Sequence, residues 1–458
     1  MHAAVGHRFW QKGKDMTKIG FISLGCAKNG VDTEVMLHKL VSAGYEITPD
    51  ETEADVIVVN TCGFIVPAKQ ESIDQILDVA QLKEQGSCRG IIATGCLVER
   101  YREQVWDEMP EVDALLGVGS LDRITEAVEA VLAGRRFSSF ADKEASPLGG
   151  DRVLTTPEYT AYLKIAEGCD NRCTYCAIPL IRGRMRSRTI EDIVAEAQEL
   201  EKLGVKELNL IAQDTSRYGL DLYGEYSLAR LVRALCAATS IPWIRLLYCY
   251  PDKITDDLIE EMKNNPRLLP YMDIPIQHIS DHILTAMNRH GLSSVIRDAI
   301  RRLRQAIPDI TLRTTAIVGF PGETEEDFAD LCAFLREARF DRFGAFTYSP
   351  EEDTPAATFP NQIDEQTKQD RYDILMATQL EISAELQQAK VGQTVKVLCE
   401  GFDPPAGLFV GRSAADAPDV DGRVFFSAPR GTAEGSFVWV KITQAMDYDL
   451  IGEYADRA

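Results

Sequence analysis

The chain has 458 residues, with 49 Lys or Arg against 71 Asp or Glu and a formal charge of −22. Its 45% hydrophobic and 26% charged fractions are those of an ordinary globular chain, and they exclude disordered and collagen-like classes. No apolar run approaches the ~18 residues of a bilayer span, and the strong negative charge repels nucleic acid over most of the surface and favours basic partners.

At ~100–200 residues per domain, this length predicts two to four domains. The opening MHAAVGHRFWQKGKDM lacks the apolar segment of a secretory signal, so the expected location is cytoplasmic, with no membrane. From Lys18 to about Phe140, short apolar runs alternate with helical stretches, the pattern of a parallel α/β sheet. The runs are Ile19–Leu24, Asp55–Asn60, Gly90–Thr94 and Val112–Val118. A polar, Gly- and Pro-containing stretch, Ala141–Pro157, reads as a linker.

A second α/β series follows, with strands expected at Thr160–Ala166, Glu207–Gln213, Trp243–Cys249, Met272–Gln277, Thr311–Gly319 and Phe343–Ser349. Thr189 and Thr324 are placed to cap helices, and Gly204 to end one. Six strand–helix units suit an incomplete barrel. After a long helix ending near Lys390, the tail holds short strands (TVKVLCE, GRVFFSA, SFVWVKIT) between Gly and Pro turns, a small all-β barrel.

The chain has 11 cysteines, an odd count that a reducing compartment keeps as thiols. Cys88, Cys236, Cys249, Cys332 and Cys399 have no ligand spacing and read as small buried hydrophobes. Cys169, Cys173 and Cys176 stand in GCDNRCTYCAIP, just after the first barrel strand. A closed zinc site wants four ligands, whereas a four-iron cluster on three thiolates keeps one iron open. Zinc completed by a distant residue, or three incidental thiols, are the alternatives.

Cys26, Cys62 and Cys96 each lie two residues past an apolar run, at separations of 36 and 34 residues that each fit one βαβ unit. Right-handed crossovers put all the C-terminal ends on one sheet edge, so the three thiols converge where such sheets bind ligands. A second open cluster is the sharper reading, and three chance turn cysteines the blander one.

The compact triplet resembles the Cys-x-x-x-Cys-x-aromatic-Cys hallmark of the radical S-adenosylmethionine enzymes, with Tyr175 in the aromatic slot. Two such triplets followed by a β domain resemble the methylthiotransferases, through SLGCAKNGVDTE, VNTCGFIVPAKQESID, ATGCLVERY, LIAQDTSRYG, PIQHISD and IVGFPGET. The resemblance starts near Lys18; residues 1–16 read as a tag or an alternative start. It implies an α/β fold: a flavodoxin-like parallel-sheet domain over 17–140, the linker 141–157, a partial (β/α)6 radical core over 158–390 and an all-β TRAM barrel over 391–458. The implied cofactors are two four-iron four-sulfur clusters, on Cys26, Cys62, Cys96 and on Cys169, Cys173, Cys176, with S-adenosylmethionine as radical source and methyl donor.

CAKNGVDTE, NTCGFI and AQDTSRYG resemble the RimO-type branch, which modifies an aspartate of ribosomal protein S-twelve, rather than the branch acting on transfer-RNA adenosine. The tail from Val391 carries six basic against ten acidic residues, which suits a basic protein better than RNA. The implied reaction takes hydrogen from the aspartate β-carbon with a radical made at the compact triplet. That carbon then attacks sulfur held at the first triplet. A flavodoxin- or ferredoxin-type donor supplies electrons, and the source of sulfur is unassigned.

Among supporting residues, Gln213 and Asp214 end the second barrel strand, facing cofactor or substrate or merely closing the strand. Ile317 and Gly319 lie in the segment that, by resemblance, packs beside adenine; its glycines equally suit a tight turn. Glu323 receives no role, and no catalytic residue is assigned. Arg182, Arg184, Arg186 and Arg188 read as charge balance for the site or as a solvated salt-bridging loop. His278 reads as structural.

Overall fold

The computed structural model describes residues 16–86 and 88–456. The segment read as a tag or alternative start therefore falls outside the described residues, apart from Met16. Six parallel strands build the first sheet: β1 (Lys18–Ser23), β2 (Glu46–Thr48), β3 (Val56–Thr61), β4 (Gly90–Gly95), β5 (Ala114–Leu116) and β6 (Phe137–Ser139). Helices α1 (Ala27–Ser42), α2 (Val66–Glu84), α3 (Cys96–Glu108) and α4 (Ile124–Leu132) connect them. Every residue of β3 and β4 is buried, so both read as unbroken runs rather than alternating ones. The three-residue edge strands β2 and β6 offer too little pattern to be read from sequence.

The strand order is β2-β1-β3-β4-β5-β6. The chain steps outward from β1 to β2 and returns on the other side, so the order reverses between β1 and β3. Open α/β sheets bind ligands at such a reversal. β1, β3 and β4 are neighbours there, and each is followed by one cysteine of the first triplet.

The second sheet takes β7 (Thr160–Lys164), then, after a two-residue ladder of β8 (Ala166–Glu167) with β9 (Arg186–Ser187), strands β10 (Glu207–Ile211), β11 (Trp243–Leu246), β12 (Leu268–Asp273), β13 (Thr311–Val318) and β14 (Arg342–Thr347). Its order, β14-β13-β12-β11-β10-β7, is that of an open, parallel partial barrel. One face packs on the helices through Leu208, Ile244, Met272 and Leu312. The fourth strand is displaced from its expected place at Met272–Gln277, because Pro275 has no N–H for a ladder. Pro270 is tolerated within β12 where the register with β11 shifts.

The stretch between the sheets is fastened down. Buried Glu34 of α1 accepts from Arg152 Nη1 at 2.7 Å and from Thr155 N at 2.8 Å. Of the five spare cysteines, four are buried as expected. Cys236 is only half-buried and accepts from Asn265 Nδ2 at 3.2 Å.

Strands β15 (Thr394–Asp403), β16 (Leu408–Ser413), β17 (Val424–Ser427), β18 (Phe437–Ala445) and β19 (Leu450–Tyr454) close into a barrel, two more than the tail pattern predicts. It docks against the N-terminal ends of the core strands. Glu207, fully buried at the start of β10, accepts from Arg245 Nη2 at 3.0 Å and from Arg412 Nη2 of β16 at 2.6 Å. Arg342 pairs with buried Asp416, and Tyr271 donates to Asp421 at 2.6 Å. Glu400 takes Arg412 Nε at 2.6 Å. Glu400, Asp416 and Asp421 are therefore engaged internally, and the excess negative charge presented outward is smaller than composition implies.

Burial pushes the Glu207 carboxyl up, but Arg412 and Arg245 outweigh it and hold the group at about 2. Because this lies below its ordinary 4.5, the pair's stabilisation is complete above pH ~4.5 and is lost as pH falls toward 2. Arg412→Ala leaves part of that buried charge uncompensated and should cost about 3–5 kcal/mol. Thermal unfolding at neutral pH checks this, and the gap to the parent should narrow in acid.

Candidate functional site

Cys169, Cys173 and Cys176 occupy the loop between the C-terminal end of β8 and α5 (Ile178–Arg182). Gly168 makes the loop possible. Its φ is +79°, and a Cβ there would lie 2.0 Å from the Arg184 carbonyl oxygen. Asn171 Nδ2 donates to Asp214 Oδ2 at 2.7 Å, so the acid at the strand end holds the loop. Arg289 lies 3.8 Å over the Tyr250 ring, with its Nη1 4.0 Å from Cys173 Sγ.

Burial pushes the Cys169 thiol up to about 12, with Asp214 and Cys173 adding to it. Cys176 is raised for the same first reason, then by Cys173 and Cys169. Cys169 and Cys176 thus feel the thiols beside them, and thiols this close ionise together only when a cation stands among them. That is the donor chemistry of a metal centre.

The first triplet assembles at the reversal in strand order. Cys26 caps α1, Cys62 follows β3, and Cys96 opens α3. Each has a glycine neighbour for a physical reason. A Cβ on Gly25 (φ +89°) would lie 3.0 Å from Cys62 Sγ, and one on Gly63 would lie 2.7 Å from Leu97 N. On Gly95 it would strike Asn60 Oδ1 at 2.3 Å.

Asn29 ties two of the turns, its Nδ2 donating to Leu24 O at 3.0 Å and Thr61 O at 2.9 Å. Ser72 Oγ accepts from Cys62 N at 2.9 Å. Burial pushes Cys62 up to about 12, with Cys96 adding most among the charges. At Cys26, burial is more than offset by Lys28 and Arg182, and the thiol sits below its usual value. Cys26 is the surface-accessible member of the triplet.

The two triplets share one junction. Ala177 and Ile181, directly after Cys176, pack with Cys96 and Val118. Arg182, 2% exposed, donates to Cys96 Sγ at 3.3 Å, Asp32 Oδ2 at 2.6 Å and Glu167 Oε2 at 3.2 Å, and also to Asn29 Oδ1. Lys164 Nζ reaches Asp32 at 2.5 Å and Glu167 at 2.9 Å. Across the interface, Lys28 Nζ lies 3.5 Å over the Tyr248 ring. Glu351, just past β14, takes Lys69 Nζ at 2.9 Å, Arg100 Nη1 at 2.8 Å and Val66 N at 2.9 Å. Among the described residues, no group of three or more His, Cys, Asp or Glu closes tightly enough to hold a single metal ion. A four-iron cube sets its thiolates on separate irons and needs a wider setting.

Tyr175 and Ile317 share an apolar cluster with Met287 and Phe320 beside the compact triplet. Gln213 donates to Glu167, and its Oε1 is buried without a partner, an acceptor free for a ligand. Gly319 (φ +72°) is explained by packing, since a Cβ would come 2.3 Å from Lys368 Cγ. Glu323, left without a role by the sequence, braces that turn by accepting from Gly319 N at 2.9 Å and Arg371 Nη1 at 2.9 Å. His278 is fully buried, its Nδ1 accepting from Ser280 N at 3.0 Å, a structural position.

Of the arginine run, Arg184 is exposed, whereas Arg182 and Arg188 are buried in ion pairs and not in a solvated loop. Sequence reasoning missed Asn29, Asp32, Glu167, Arg289 and Glu351. Each has a partner distant along the chain, and only the glycine beside each first-triplet cysteine signalled close packing.

Residues 18–117 match the family model described as Uncharacterized protein family UPF0004, residues 163–335 the Radical SAM superfamily, and residues 391–454 the TRAM domain. The chain is 51% identical over 447 residues to the ribosomal protein uS12 methylthiotransferase RimO of Desulforamulus reducens, covering 96% of this chain and 100% of that one. The chain belongs to the RimO family. The RimO proteins of Lachnoclostridium phytofermentans, at 52% over 436 residues, and Geobacter sulfurreducens, at 50% over 446, each cover 95% of the chain and 99% and 98% of their own.

Among solved structures, the radical S-adenosylmethionine methyltransferase TsrM of Kitasatospora setae aligns with a TM-score of 0.54 at 14% identity, over 85% of this chain and 80% of that one. That likeness concerns the fold. As a RimO-family chain this is a radical S-adenosylmethionine enzyme of the methylthiotransferase class, with the cofactor and the four-iron four-sulfur chemistry that the superfamily implies.

Proposed function

We propose that this chain methylthiolates ribosomal protein uS12 at the β-carbon of an aspartate, working in the cytoplasm. The observation that carries this reading is the junction in which Cys96 of one triplet packs against Ala177, next to Cys176 of the other. Two reactive centres at one junction are what a carbon activated at one and sulfurated at the other requires. Identity of about half over nearly the whole chain supports the choice of substrate.

In this reading the residues divide as 17–140 for the sulfur-bearing centre, 141–157 for the connection, 158–390 for the radical core and 391–458 for the TRAM barrel. Cys169, Cys173 and Cys176 would hold one four-iron four-sulfur cluster, and Cys26, Cys62 and Cys96 a second. When bound, the first cluster with S-adenosylmethionine supplies hydrogen abstraction from an unactivated carbon, and the second supplies sulfur. Gln213 Oε1 would accept from the bound nucleoside or amino group, while Tyr175, Ile317 and the apolar cluster around Phe320 exclude water from it. Asp214, through Asn171, fixes the loop that orients the radical centre. Lys28 and Arg182 place positive charge beside thiolates that must stay ionised. Electrons would come from a flavodoxin- or ferredoxin-type donor.

The test is mass spectrometry of uS12 and of total transfer RNA from cells with and without the gene. Loss of the thiomethyl group from uS12 alone supports the assignment. Loss from transfer-RNA adenosine, with uS12 unchanged, overturns it.

A further inference from the structure

Arg182 belongs by sequence to the radical centre, six residues after Cys176, but its guanidinium lies in the other centre. We propose that Arg182 is a positioning residue for the Cys26–Cys62–Cys96 centre, and that its hydrogen bond to the Cys96 sulfur raises the reduction potential of the cluster held there. The proposal rests on the reading that this triplet holds a four-iron cluster.

Three observations carry it. First, the contact is geometric and closed to water: Arg182 is 2% exposed, and its Nη2 lies 3.3 Å from Cys96 Sγ. Second, the fork is held so that it cannot swing away. Nη1 is fixed by Asp32 Oδ2 at 2.6 Å and Glu167 Oε2 at 3.2 Å, and Nη2 by Asn29 Oδ1, whose own amide ties the turns after β1 and β3. A planar guanidinium can serve these acceptors and a sulfur at once, which an ammonium cannot. Third, a second cation shares the carboxylates that hold the fork. Lys164 reaches both Asp32 and Glu167, so Arg182 and Lys164 balance the two acids. Negative charge gained by the centre on reduction then meets a fixed N–H donor.

Hydrogen bonds and positive charge at a cluster sulfur stabilise the reduced, more negative state and raise the potential. Carrying this donor on α5, directly behind Cys176, also keeps the two centres in register. Ala177 and Ile181 of the same segment pack against Cys96.

The experiment uses the full-length chain in a Cys169→Ala/Cys173→Ala/Cys176→Ala background, so that only the first triplet is loaded. Protein reconstituted anaerobically with iron and sulfide is titrated with dithionite and followed by electron paramagnetic resonance. Arg182→Gln should lower the one-electron reduction equilibrium constant about tenfold, a downward shift of about 59 mV. Arg182→Lys, which keeps the charge but loses the fork, should shift it less. Because Arg182→Gln leaves Asp32 short of a partner, Asp32→Asn/Arg182→Gln is titrated alongside and should show the same downward shift.

Potentials equal to the parent's at equal iron and sulfide content overturn the proposal. Failure of both Gln variants to load, while the parent loads, assigns Arg182 to assembly and also overturns it. A parent background that takes up no iron or sulfide refutes the cluster reading itself, a result distinct from either.

Discussion

Replacing Cys62 with alanine abolishes methylthiolated product while S-adenosylmethionine is still cleaved to 5′-deoxyadenosine; this is the sharpest expected result of the two-centre arrangement. The physical basis is that Cys62 stands on the turn after β3, outside the loop of the compact triplet. Its backbone is held by Ser72 on both sides, N to Oγ at 2.9 Å and Oγ to carbonyl at 3.0 Å, so removing one sulfur leaves the turn in place. The radical half of the reaction keeps all its ligands. The sulfur half loses one of three, a larger loss than the about 10–100-fold effect of removing an outer-shell partner of a metal ligand. Chromatography of 5′-deoxyadenosine beside mass spectrometry of the peptide reads both halves in one assay. Undiminished product from Cys62→Ala would remove the first triplet from the reaction.

Glu351→Ala should produce a similar uncoupling by a different cause. Glu351 lies past β14 on the core, and its 2%-exposed carboxylate gathers Lys69 and Arg100. Those two lie on the helices that follow Cys62 and open with Cys96. Burial pushes its carboxyl up, but hydrogen bonds from Lys69, Arg100 and Ser349 prevail and hold it ionised. This one residue of the core lip therefore clasps the elements that carry two of the first triplet's cysteines. Without it, two neighbouring cations of the first-sheet domain lose their common partner on the core and the separation of the centres is no longer set. A misplacement of about 1 Å costs on the order of 10²-fold in a positioned reaction. The expected readout is a fall of about that size in product per 5′-deoxyadenosine, with iron content unchanged. Glu351→Gln, which keeps the acceptor and loses the charge, should fall between Ala and the parent. An unchanged product ratio in Glu351→Ala would mean that the clasp does not set the alignment.

The two triplets differed in how they could be read. Cys169, Cys173 and Cys176 lie within eight residues, so their convergence is local and visible in any linear reading. The first triplet spans seventy residues, and its convergence follows from a rule about parallel sheets. The order in which β1, β3 and β4 became neighbours is a tertiary fact, since it depends on β2, whose three residues carry no legible pattern. Charge was the poorest guide. The tail's acidic excess suggested a surface for a basic partner, but Glu400, Asp416 and Asp421 are turned against Arg412, Arg342 and Tyr271. Of the two readings of the arginine run, charge balance holds for Arg182 and the solvated loop for Arg184, because burial is decided by what packs over a loop and not by the loop's own polarity.

What the amino-acid sequence by itself determined was the chemistry: six thiols in two sets, an aromatic in the middle of one, and strand and helix patterns that place each set after a strand. Those depend on short-range spacing and on the period of apolar residues, both written along the chain. What only the tertiary structure decided was how the sets meet: Arg182 on Cys96, Glu351 on Lys69 and Arg100, Gln213 on Glu167 with one acceptor left open. Such contacts join residues up to 285 positions apart. They arise because a buried charge must find an opposite partner wherever the fold provides one, and no local pattern announces which one that is.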